Sequence, residues 1–304
     1  MNIKKILLYY NPYAGNGVIS NNLDKVIEAF QHAGMLAIAL RADDRDALDK
    51  LFTEADINTY AKIMVAGGDG TINTLVNAMI RHDVYVPLAV FPSGTANDLA
   101  HYFDLPMGIE EFLKIATSEH YTHMDVGVAN DRCFVNVLAM GMMVDVSQKT
   151  DPAVKNTMGI MAYYLRGMAE ITKLRPIPIK LTTPDEKIVT KMYAMLIMNG
   201  RSAGGFKRVA PTAEINDGLL DVIVFQEMPV VNLGPLLFSV LTGQHTENEK
   251  VISFRTNQLK IESSVEIVTD VDGEAGDALP LDVKVLPRRL KINTLKDDMD
   301  GNVW

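Results

Sequence analysis

The chain has 304 residues, of which 48% are hydrophobic and 22% are charged, and its formal net charge is −9. This composition is typical of a soluble globular protein, and the length favours two domains over one. The acidic balance argues against a nucleic-acid-binding protein, which holds phosphates with clustered Lys and Arg. The single cysteine, Cys133, excludes an intrachain disulfide and favours a reducing cytoplasm.

Two apolar segments have some features of targeting or membrane sequences. Ile6–Tyr10 follows two lysines, but this run is too short for the core of a signal peptide. The segment from Met228 to Thr246 carries no Asp, Glu, Lys or Arg, but it contains two prolines and two glycines. We therefore expect neither a signal peptide nor a membrane span.

The first part of the chain alternates predicted strands, ILLYY, MLAIAL, AKIMVA and VPLAVF, with amphipathic helices. The helices carry apolar residues at the spacing i, i+3, i+4, i+7. These positions are Leu23, Val26, Ile27 and Phe30; Ala47, Leu48, Leu51, Phe52 and Ala55; Ile72, Leu75, Val76, Met79 and Ile80; and Ile109, Phe112, Leu113 and Ala116. Ser20 or Asn21 is predicted to cap the first helix and Gly34 to end it. The alternation predicts a three-layer α/β domain with a parallel sheet over residues 1–125.

After about Tyr121, strand-like runs follow one another directly. They are CFVNVLAM, IPIKLTT, YAMLIMN, LLDVIVF, VISFR, QLKIES, VEIVTD, DVKVL and LKINTL. TTPDEKIV is predicted to be a hairpin turn, and helical patterns occur at residues 158–174 and 230–241. This succession predicts an antiparallel β-sandwich domain over residues 126–286.

Three glycine-rich turns follow predicted strands of the first domain, in Asn11–Gly17, Gly67–Thr71 and Val90–Asp98. Glycines let the backbone approach a ligand closely, and a helix N-terminus presents N–H groups and partial positive charge. Ligands of parallel sheets bind at the carboxyl ends of the strands, so the three turns are expected to converge on one crevice. A lone G-G-D-G would favour a simple tight turn. Three turns in phase with the strands favour a phosphate site.

The predicted phosphate site has no lysine. Neither G-x-x-x-x-G-K-[ST] nor a G-x-G-x-x-G at the start of the first helix is present. The turns instead contain Asp69 and Asp98. Carboxylates beside phosphates indicate a bridging cation, so the pattern predicts Mg²⁺ acting together with a helix dipole.

NPYAG, GGDGTIN and PSGTANDLA, in this order and spacing, closely resemble the catalytic domain of the diacylglycerol kinase family, especially the small bacterial lipid kinases. The resemblance continues through NVLAMGMMVDV, NGRSAGGFKRVAPTAEINDGLLDVIVF, GQHTENEKVISFRTNQLKIES and VDGE. It implies an NAD kinase/diacylglycerol kinase-like fold and a Mg²⁺-dependent transfer of the γ-phosphate of ATP to a lipid hydroxyl. It also implies that residues 287–304 return to the first domain. G-G-D-G alone is shared with NAD kinases and phosphofructokinases.

The resemblance also implies a set of nucleotide-binding residues, in which Asp69 organises the catalytic Mg²⁺. The residues assigned to ATP binding are Asn11, Gly67, Gly68, Asp69, Gly70, Thr71, Ile72, Asn73, Thr95, Asn97 and Asp98. The family has a further nucleotide-binding threonine after the second strand, where this chain has Arg41.

A second, structural Mg²⁺ is implied at the Asp217 side chain, near the carbonyls of Glu214 and Leu219. The family often has another acid before this aspartate, whereas this chain has Asn216.

Phosphoryl transfer to an alcohol also needs a base for the hydroxyl proton. TDVDGEAGD offers Asp270, Asp272, Glu274 and Asp277, which by themselves favour a solvated acidic hairpin. The resemblance moves the prediction to Glu274 as the base, with Asp272 as an alternative or helper. No histidine is assigned to catalysis.

The acceptor and membrane contacts are the least defined features of the sequence. Methionines could form an adaptable acyl-chain groove or ordinary core. They are Met140, Met142, Met143, Met158, Met161 and Met168. Basic residues could face anionic lipid or be scattered solvated charges. They are Lys155, Arg166, Lys173, Arg175, Lys207 and Arg208. We expect a cytoplasmic protein that meets its lipid substrate by peripheral membrane contact. The sequence defines no oligomeric state and is compatible with a homodimer.

The sequence is compatible with three functions. The first is a lipid kinase acting on diacylglycerol, a monoacylglycerol, phosphatidylglycerol, a sphingoid base or a polyprenol. The second is an NAD kinase-like phosphotransferase. The third is a catalytically inactive nucleotide-sensing module that regulates a partner. PSGTANDLA and the long downstream resemblance favour the first.

Overall fold

The computed structural model describes residues 3–141, 175–204, 206 and 208–295. These residues form two compact units. The first contains the chain up to Val126 together with the residues from Pro287 onwards, and the second is Gly127–Leu286. The first unit is therefore discontinuous in sequence.

The strands and helices are numbered in chain order. The strands are β1 (Lys4–Tyr10), β2 (Met35–Arg41), β3 (Lys62–Gly67), β4 (Leu88–Pro92), β5 (Tyr121–Ala129), β6 (Arg132–Phe134), β7 (Val137–Gly141), β8 (Ile177–Thr182), β9 (Lys187–Met198), β10 (Leu220–Gln226), β11 (Val251–Thr256), β12 (Gln258–Ser263), β13 (Thr269–Val271), β14 (Glu274–Ala275) and β15 (Leu281–Asn293). The helices are α1 (Val18–Asn21), α2 (Leu23–His32), α3 (Arg45–Glu54), α4 (Asp69–Arg81), α5 (Asp98–Tyr102), α6 (Ile109–Ala116) and α7 (Leu233–Thr242).

The first unit is a parallel sheet covered by helices on both faces. Its strand order is β2-β1-β3-β4, and Ile292 of β15 continues it by pairing in parallel with Leu88. On one face, alternate strand residues such as Leu8 pack with Phe30 of α2 and Phe112 of α6. The intervening residues point to the opposite face, where α3 and α4 are in contact. The predicted three-layer α/β fold is confirmed.

The predicted start of the first helix is wrong in detail. α1 ends at Asn21, and the residue that precedes α2 is Asn22. Neither Ser20 nor Asn21 caps α2. Ser20 Oγ donates to Pro12 O at 3.1 Å, and Asn22 Nδ2 donates to Val18 O at 2.8 Å. The segment before α2 therefore forms a separate short helix, α1, which these side-chain hydrogen bonds stabilise.

The second unit is antiparallel throughout its described strand pairs. β7, β10 and β8 each pair with β9. β12 pairs with β8 on one side and with β15 on the other. Residues on one face of these strands, including Ile197, Leu181 and Leu259, form a common core. The opposite face of β7, β9 and β10 packs against Leu236 and Val240 of α7. The predicted β-sandwich class is confirmed.

Four predicted strands differ from those observed. Of VEIVTD, only Thr269 and Asp270 belong to a strand, β13. CFVNVLAM forms two strands, β6 and β7, because the backbone N–H groups of Val135 and Asn136 bond to a side chain elsewhere in the unit. DVKVL and LKINTL belong to one strand, β15. β5 has no counterpart in the prediction. The hairpin turn between β8 and β9 is confirmed.

The helical pattern at residues 230–241 corresponds to a short 3₁₀ turn, Val230–Asn232, followed by α7. The pattern at residues 158–174 lies outside the described residues. Within the described parts of the chain, no helix combines the length and apolar character that a bilayer crossing requires.

Candidate active site

The three glycine-rich turns of the first unit lie against one another. A Cβ atom on Gly94 would be 2.5 Å from Gly68 Cα, so these two turns meet through their backbones. A Cβ on Gly15, whose φ is +56°, would lie 3.1 Å from Ser93 Cβ. No side chain fits at either contact without displacement of its neighbour. The convergence predicted from the strand pattern is therefore present.

The start of α4 has no side-chain cap. Gly68 precedes the helix in an extended conformation and provides no side-chain cap. The Gly68 carbonyl accepts from the N–H groups of Thr71 and Ile72, which begins the helical bonding. The N–H groups of the first turn and the helix dipole are those that bind phosphate in many proteins.

Asp69 connects the start of α4 to the turn before α5. Its Oδ2 accepts from Asn97 N at 3.0 Å, and its Oδ1 accepts from Asp98 N at 3.1 Å. Burial raises the pKa of the Asp69 carboxyl above its usual value, and the two backbone amides partly oppose this shift. Asp69 thus fixes the relative positions of two glycine-rich turns.

Asn97 closes the turn that contains Gly94. Its backbone is left-handed, with φ of 52°. Its Oδ1 accepts from Gly94 N at 2.7 Å, and its Nδ2 donates to Gly94 O at 2.9 Å. Asn97 is therefore a structural residue of the turn, and its amide is already occupied by Gly94.

Ser93 is a candidate site residue that was not predicted from the sequence. The residue is only 8% exposed, and its Oγ has no hydrogen-bond partner among the described residues. A buried hydroxyl without a partner is unfavourable, so a ligand oxygen is a suitable acceptor for it. The sequence signal is a polar residue between a buried strand and a glycine, within PSGTAND.

The remaining predicted nucleotide residues surround this centre. Asn11 N donates to Ala66 O at 2.8 Å, and Asn11 Oδ1 accepts from Tyr13 N at 3.0 Å. Asn73 is buried, and its carbonyl and Oδ1 accept from Asn77. Thr95 is exposed beside Gly94.

Arg41, which stands where the family has a threonine, ends β2. Its Nη2 lies 2.6 Å from Asp43 Oδ2 in an exposed ion pair. Its guanidinium carbon lies 6.0 Å from the centroid of the Tyr13 ring. Arg41 is thus oriented toward the first glycine-rich turn.

In the acidic turn of the second unit, Asp272 is a backbone acceptor. Its carboxylate accepts from Val135 N at 2.6 Å, Asn136 N at 2.9 Å and Val137 N at 2.8 Å. Its own φ is 51°, a left-handed conformation. These bonds hold the link between β6 and β7, so Asp272 has a clear structural role.

Glu274 is held by a side-chain ion pair, unlike Asp272. Its Oε2 pairs with Arg132 Nη2 at 2.8 Å, and Arg132 Nη1 also contacts Ala275 O. Both side chains of the pair remain partly exposed. Asp270 Oδ1 accepts from Gly273 N at 2.7 Å, which stabilises the turn. Of these acids, Asp272 is bound by backbone N–H groups and Glu274 by an arginine side chain.

The predicted structural metal site contains an arginine. Asp217 Oδ1 accepts from Leu219 N at 2.9 Å, and Asp217 Oδ2 forms an ion pair with Arg255. Arg255 Nε also lies 3.7 Å from Asp221, whose pKa is raised to about 6 by burial and by nearby Glu214. No cluster of three or more metal-binding His, Cys, Asp or Glu side chains occurs in the described residues. The structural Mg²⁺ at Glu214, Asp217 and Leu219 stays a prediction, because Arg255 already supplies a cation there.

Most residues of the predicted acceptor and membrane surfaces lie outside the described chain. They are Lys155, Arg166, Lys173, Lys207, Met142, Met143, Met158, Met161 and Met168. Arg175 and Arg208 are exposed, whereas Met140 is fully buried in β7. Met140 is therefore core.

Two family models together match most of the chain. Residues 5–129 match the diacylglycerol kinase catalytic domain. Residues 136–294 match the YegS C-terminal NAD kinase beta sandwich-like domain.

Individual proteins are similar over nearly their whole length. A diacylglycerol kinase of Staphylococcus carnosus is 28% identical over 297 residues, which cover 97% of this chain and 96% of that protein. The diacylglycerol kinase of Bacillus subtilis is 27% identical over 293 residues, covering 95% and 96%. A solved Bacillus anthracis structure superposes with a TM-score of 0.80 at 25% identity, covering 97% of this chain and 96% of that one. The chain therefore belongs to the bacterial diacylglycerol kinase family, whose catalytic domain is followed by a YegS-type β-sandwich domain.

Proposed function

We propose that this protein is a lipid kinase that transfers the γ-phosphate of ATP to the hydroxyl of diacylglycerol in a Mg²⁺-dependent reaction. One observation carries the proposal: the uncapped start of α4 lies beside a buried Ser93 hydroxyl that has no protein acceptor in the described chain. Backbone amides and a hydroxyl donor together suit a polyphosphate. The similar proteins are diacylglycerol kinases by name, which favours a lipid as the acceptor.

The glycine-rich turns would hold the phosphates through backbone N–H groups. Side chains at Gly68 and Gly94 would fill the space where the two turns meet, so glycine at both positions keeps the backbone accessible. Bound Mg²⁺ would neutralise phosphate charge. Asp69 suits this cation environment because it supplies an anionic carboxylate, while its bonds to Asn97 and Asp98 keep the turns in register.

Deprotonation of the lipid hydroxyl is assigned to Glu274. Its carboxylate is partly exposed and pairs with the side chain of Arg132, whereas the Asp272 carboxylate holds three backbone N–H groups of the β6–β7 link. Arg132 would hold the Glu274 carboxylate in place through its Nη2. Asp272 would act indirectly, by fixing the turn that carries Glu274.

The experiment that tests the proposal incubates the protein with labelled ATP, Mg²⁺ and a total lipid extract, and then identifies the labelled product. We expect labelled phosphatidic acid, and no labelled lipid from the Asp69→Asn variant. A wild-type protein that binds ATP but labels no lipid would contradict the function.

An NAD kinase-like activity is the second candidate, because the family of the second domain is itself described as NAD kinase-like. Incubation with ATP and NAD⁺ separates the two activities. Formation of NADP⁺ at a rate above that of lipid phosphorylation would favour this candidate.

Peripheral membrane contact from the cytoplasm follows as part of the proposal, since a diacylglycerol acceptor resides in a bilayer. Flotation with anionic vesicles should show association that weakens with added salt. If the vesicles show no salt-sensitive association, peripheral membrane contact is contradicted.

A further inference from the structure

The sheet of the first unit ends on an apolar edge strand. β2 is its last strand, and within the described chain only β1 pairs with it, in a regular register. Leu36 and Ile38 are 46% and 39% exposed, although they lie on the sheet face on which Leu7 and Tyr9 of β1 are almost completely buried. An exposed apolar edge of this kind favours pairing with a further strand.

β2 has none of the features that usually protect a sheet edge. Residues 35–40, MLAIAL, contain no charge and no proline, and no bulge interrupts their pairing with β1. An outer strand of the second unit differs in this respect. β11, for which β10 is the only described partner, carries exposed Ser253 and Arg255. The apolar edge is therefore particular to β2.

The backbone of β2 presents every second residue to the open edge. Ala42 N donates to Tyr10 O at 2.8 Å, so residue 42 directs its N–H towards β1. In a parallel pair, alternate residues bond to the neighbouring strand, and the residues between them direct N–H and C=O to the other side. The outward residues of β2 are Met35, Ala37, Ala39 and Arg41.

The strand also reads the same in both directions. Residues 36–40 have the sequence LAIAL, which is symmetrical about Ile38. Antiparallel pairing of two copies about a two-fold axis at Ile38 places Ala37 opposite Ala39, and Met35 opposite Arg41. These are the residues whose N–H and C=O groups face outward, so each such pair can form two hydrogen bonds. The register that matches the palindrome is thus the one that satisfies the open edge.

The side chains favour the same register. Leu36 then faces Leu40, and Ile38 faces Ile38 of the second copy, in pairs whose Cα atoms are about 4.5 Å apart. Together they form an apolar row that covers the exposed face of both strands. On the opposite face the central pairs are alanines, which leave room for α2, the helix that contacts β2. Charge does not oppose the pairing, because Arg41 is neutralised by Asp43.

We propose that β2 is a self-association site, through which two copies of this protein form a two-fold symmetric dimer with one sheet continuous across the axis. Such an interface is isologous, so a single self-complementary strand supplies both sides. Main-chain hydrogen bonds provide affinity, and the leucine and isoleucine row fixes the register. The proposal depends neither on the phosphate donor nor on the lipid acceptor.

The first test measures molecular mass by sedimentation equilibrium for the wild type, Ile38→Lys, Ala39→Pro and Val189→Lys. The wild type should have twice the chain mass of 33.5 kDa. Ile38→Lys places a charge in the apolar row, and Ala39→Pro removes an outward N–H, so both should be monomers. Val189 of β9 is 78% exposed, and Val189→Lys, the matched control, should remain a dimer. Circular dichroism shows whether each variant is folded.

The second test places a cysteine on the proposed axis. Cα atoms about 4.5 Å apart lie within the range of a disulfide. Ile38→Cys should therefore form an interchain disulfide on oxidation, which a reducing agent reverses. Leu36→Cys lies opposite Leu40 of the second copy and should not link to itself. The natural Cys133 is buried, so it contributes little background.

A monomeric wild type would overturn the proposal. Folded Ile38→Lys that dimerises as tightly as the wild type would do the same, because the dimer would then use another surface. Linkage of Leu36→Cys as fast as that of Ile38→Cys would contradict the two-fold axis at Ile38. Loss of the dimer in Val189→Lys would show that association responds to any added lysine, and β2 would no longer be the assigned surface.

Discussion

Among the individual residues, the two acids of the predicted catalytic pair have different surroundings. Asp272 accepts three backbone N–H groups, while Glu274 pairs with the side chain of Arg132 and remains partly exposed. Backbone donors that lose their acceptor in a buried turn are costly, whereas an exposed ion pair contributes little to stability. The two acids should therefore respond differently to substitution.

Glu274→Gln should keep the stability of the wild type and lose nearly all lipid phosphorylation. Asp272→Ala should lower the free energy of unfolding by about 3 kcal/mol, because three amides lose a charged acceptor. Urea unfolding and the labelled-lipid assay measure the two effects. Near wild-type turnover of Glu274→Gln would remove this residue from the role of base.

Asp217 and Arg255 allow a test of the predicted structural metal. Arg255→Met leaves the partly buried carboxylate of Asp217 and the buried carboxylate of Asp221 without their cation, so stability should fall by about 3 kcal/mol. Added Mg²⁺ should restore part of the melting temperature in this variant. In the wild type, EDTA should change the melting temperature little. A clear destabilisation of the wild type by EDTA would instead show that a metal stabilises this site together with Arg255.

Among the elements, the carboxyl end of α6 is bound by a buried lysine of a neighbouring strand. Lys62 of β3 is 2% exposed, and its Nζ donates to Ala116 O at 2.8 Å and Ser118 O at 2.7 Å. These carbonyls lie at the carboxyl end of α6, where a cation is favourable. Burial nevertheless lowers the pKa of Lys62 from 10.5 to about 8, with a smaller opposing effect of Glu119.

This shift predicts a pH dependence of stability. Between pH 8 and 10.5 the unfolded chain binds more protons at Lys62 than the folded protein, so unfolding becomes less favourable as the pH rises. Relative to Lys62→Met, the wild type should gain up to about 3 kcal/mol across this window. Urea unfolding of both proteins at pH 7.5, 9 and 10.5 measures the gain. A constant difference between them would contradict the shift.

The elements also show how far the sequence predicts the fold. Apolar periodicity identified α2, α3, α4 and the strands between them, because each has a regular buried face. It missed the break at Val135 and Asn136, whose amides bond to Asp272 across the second unit. It also missed β5, whose residues were placed in the transition between the two predicted domains.

The candidate site was predictable to a similar degree. Glycine-rich turns in phase with parallel strands predicted the convergence of three turns, since the sheet itself brings them to one edge. The pairs Arg132–Glu274 and Arg255–Asp217 and the unpartnered hydroxyl of Ser93 depend on contacts between distant residues. Local sequence patterns mark Ser93 only as a polar residue beside a glycine and give no information on which distant residues pair.

In the whole molecule, the two units differ in continuity. The second is one uninterrupted stretch, whereas the first needs residues from β15. Leu290 and Ile292 of that strand are almost completely buried, and Asn293 Nδ2 donates to the Ser118 and His120 carbonyls. Removal of this segment would expose apolar surface and leave those acceptors unpaired.

The isolated fragment 127–286 should therefore unfold cooperatively in urea, while the fragment 1–126 should not. A single chain that joins 1–126 to 287–304 through a flexible linker should recover cooperative unfolding. Circular dichroism during urea titration measures each transition. Cooperative unfolding of 1–126 with the midpoint of the linked chain would show that the last strand is dispensable.

The discontinuity of the first unit has a consequence for biosynthesis. At typical translation rates, roughly ten to thirty seconds separate the emergence of residue 126 from that of Asn293 on the ribosome. During this interval the edge of β4 lacks its partner strand, and the nascent first unit is open to chaperones and proteases. The downstream sandwich can complete its hydrogen bonding first, so the chain should mature in the reverse of its order of synthesis.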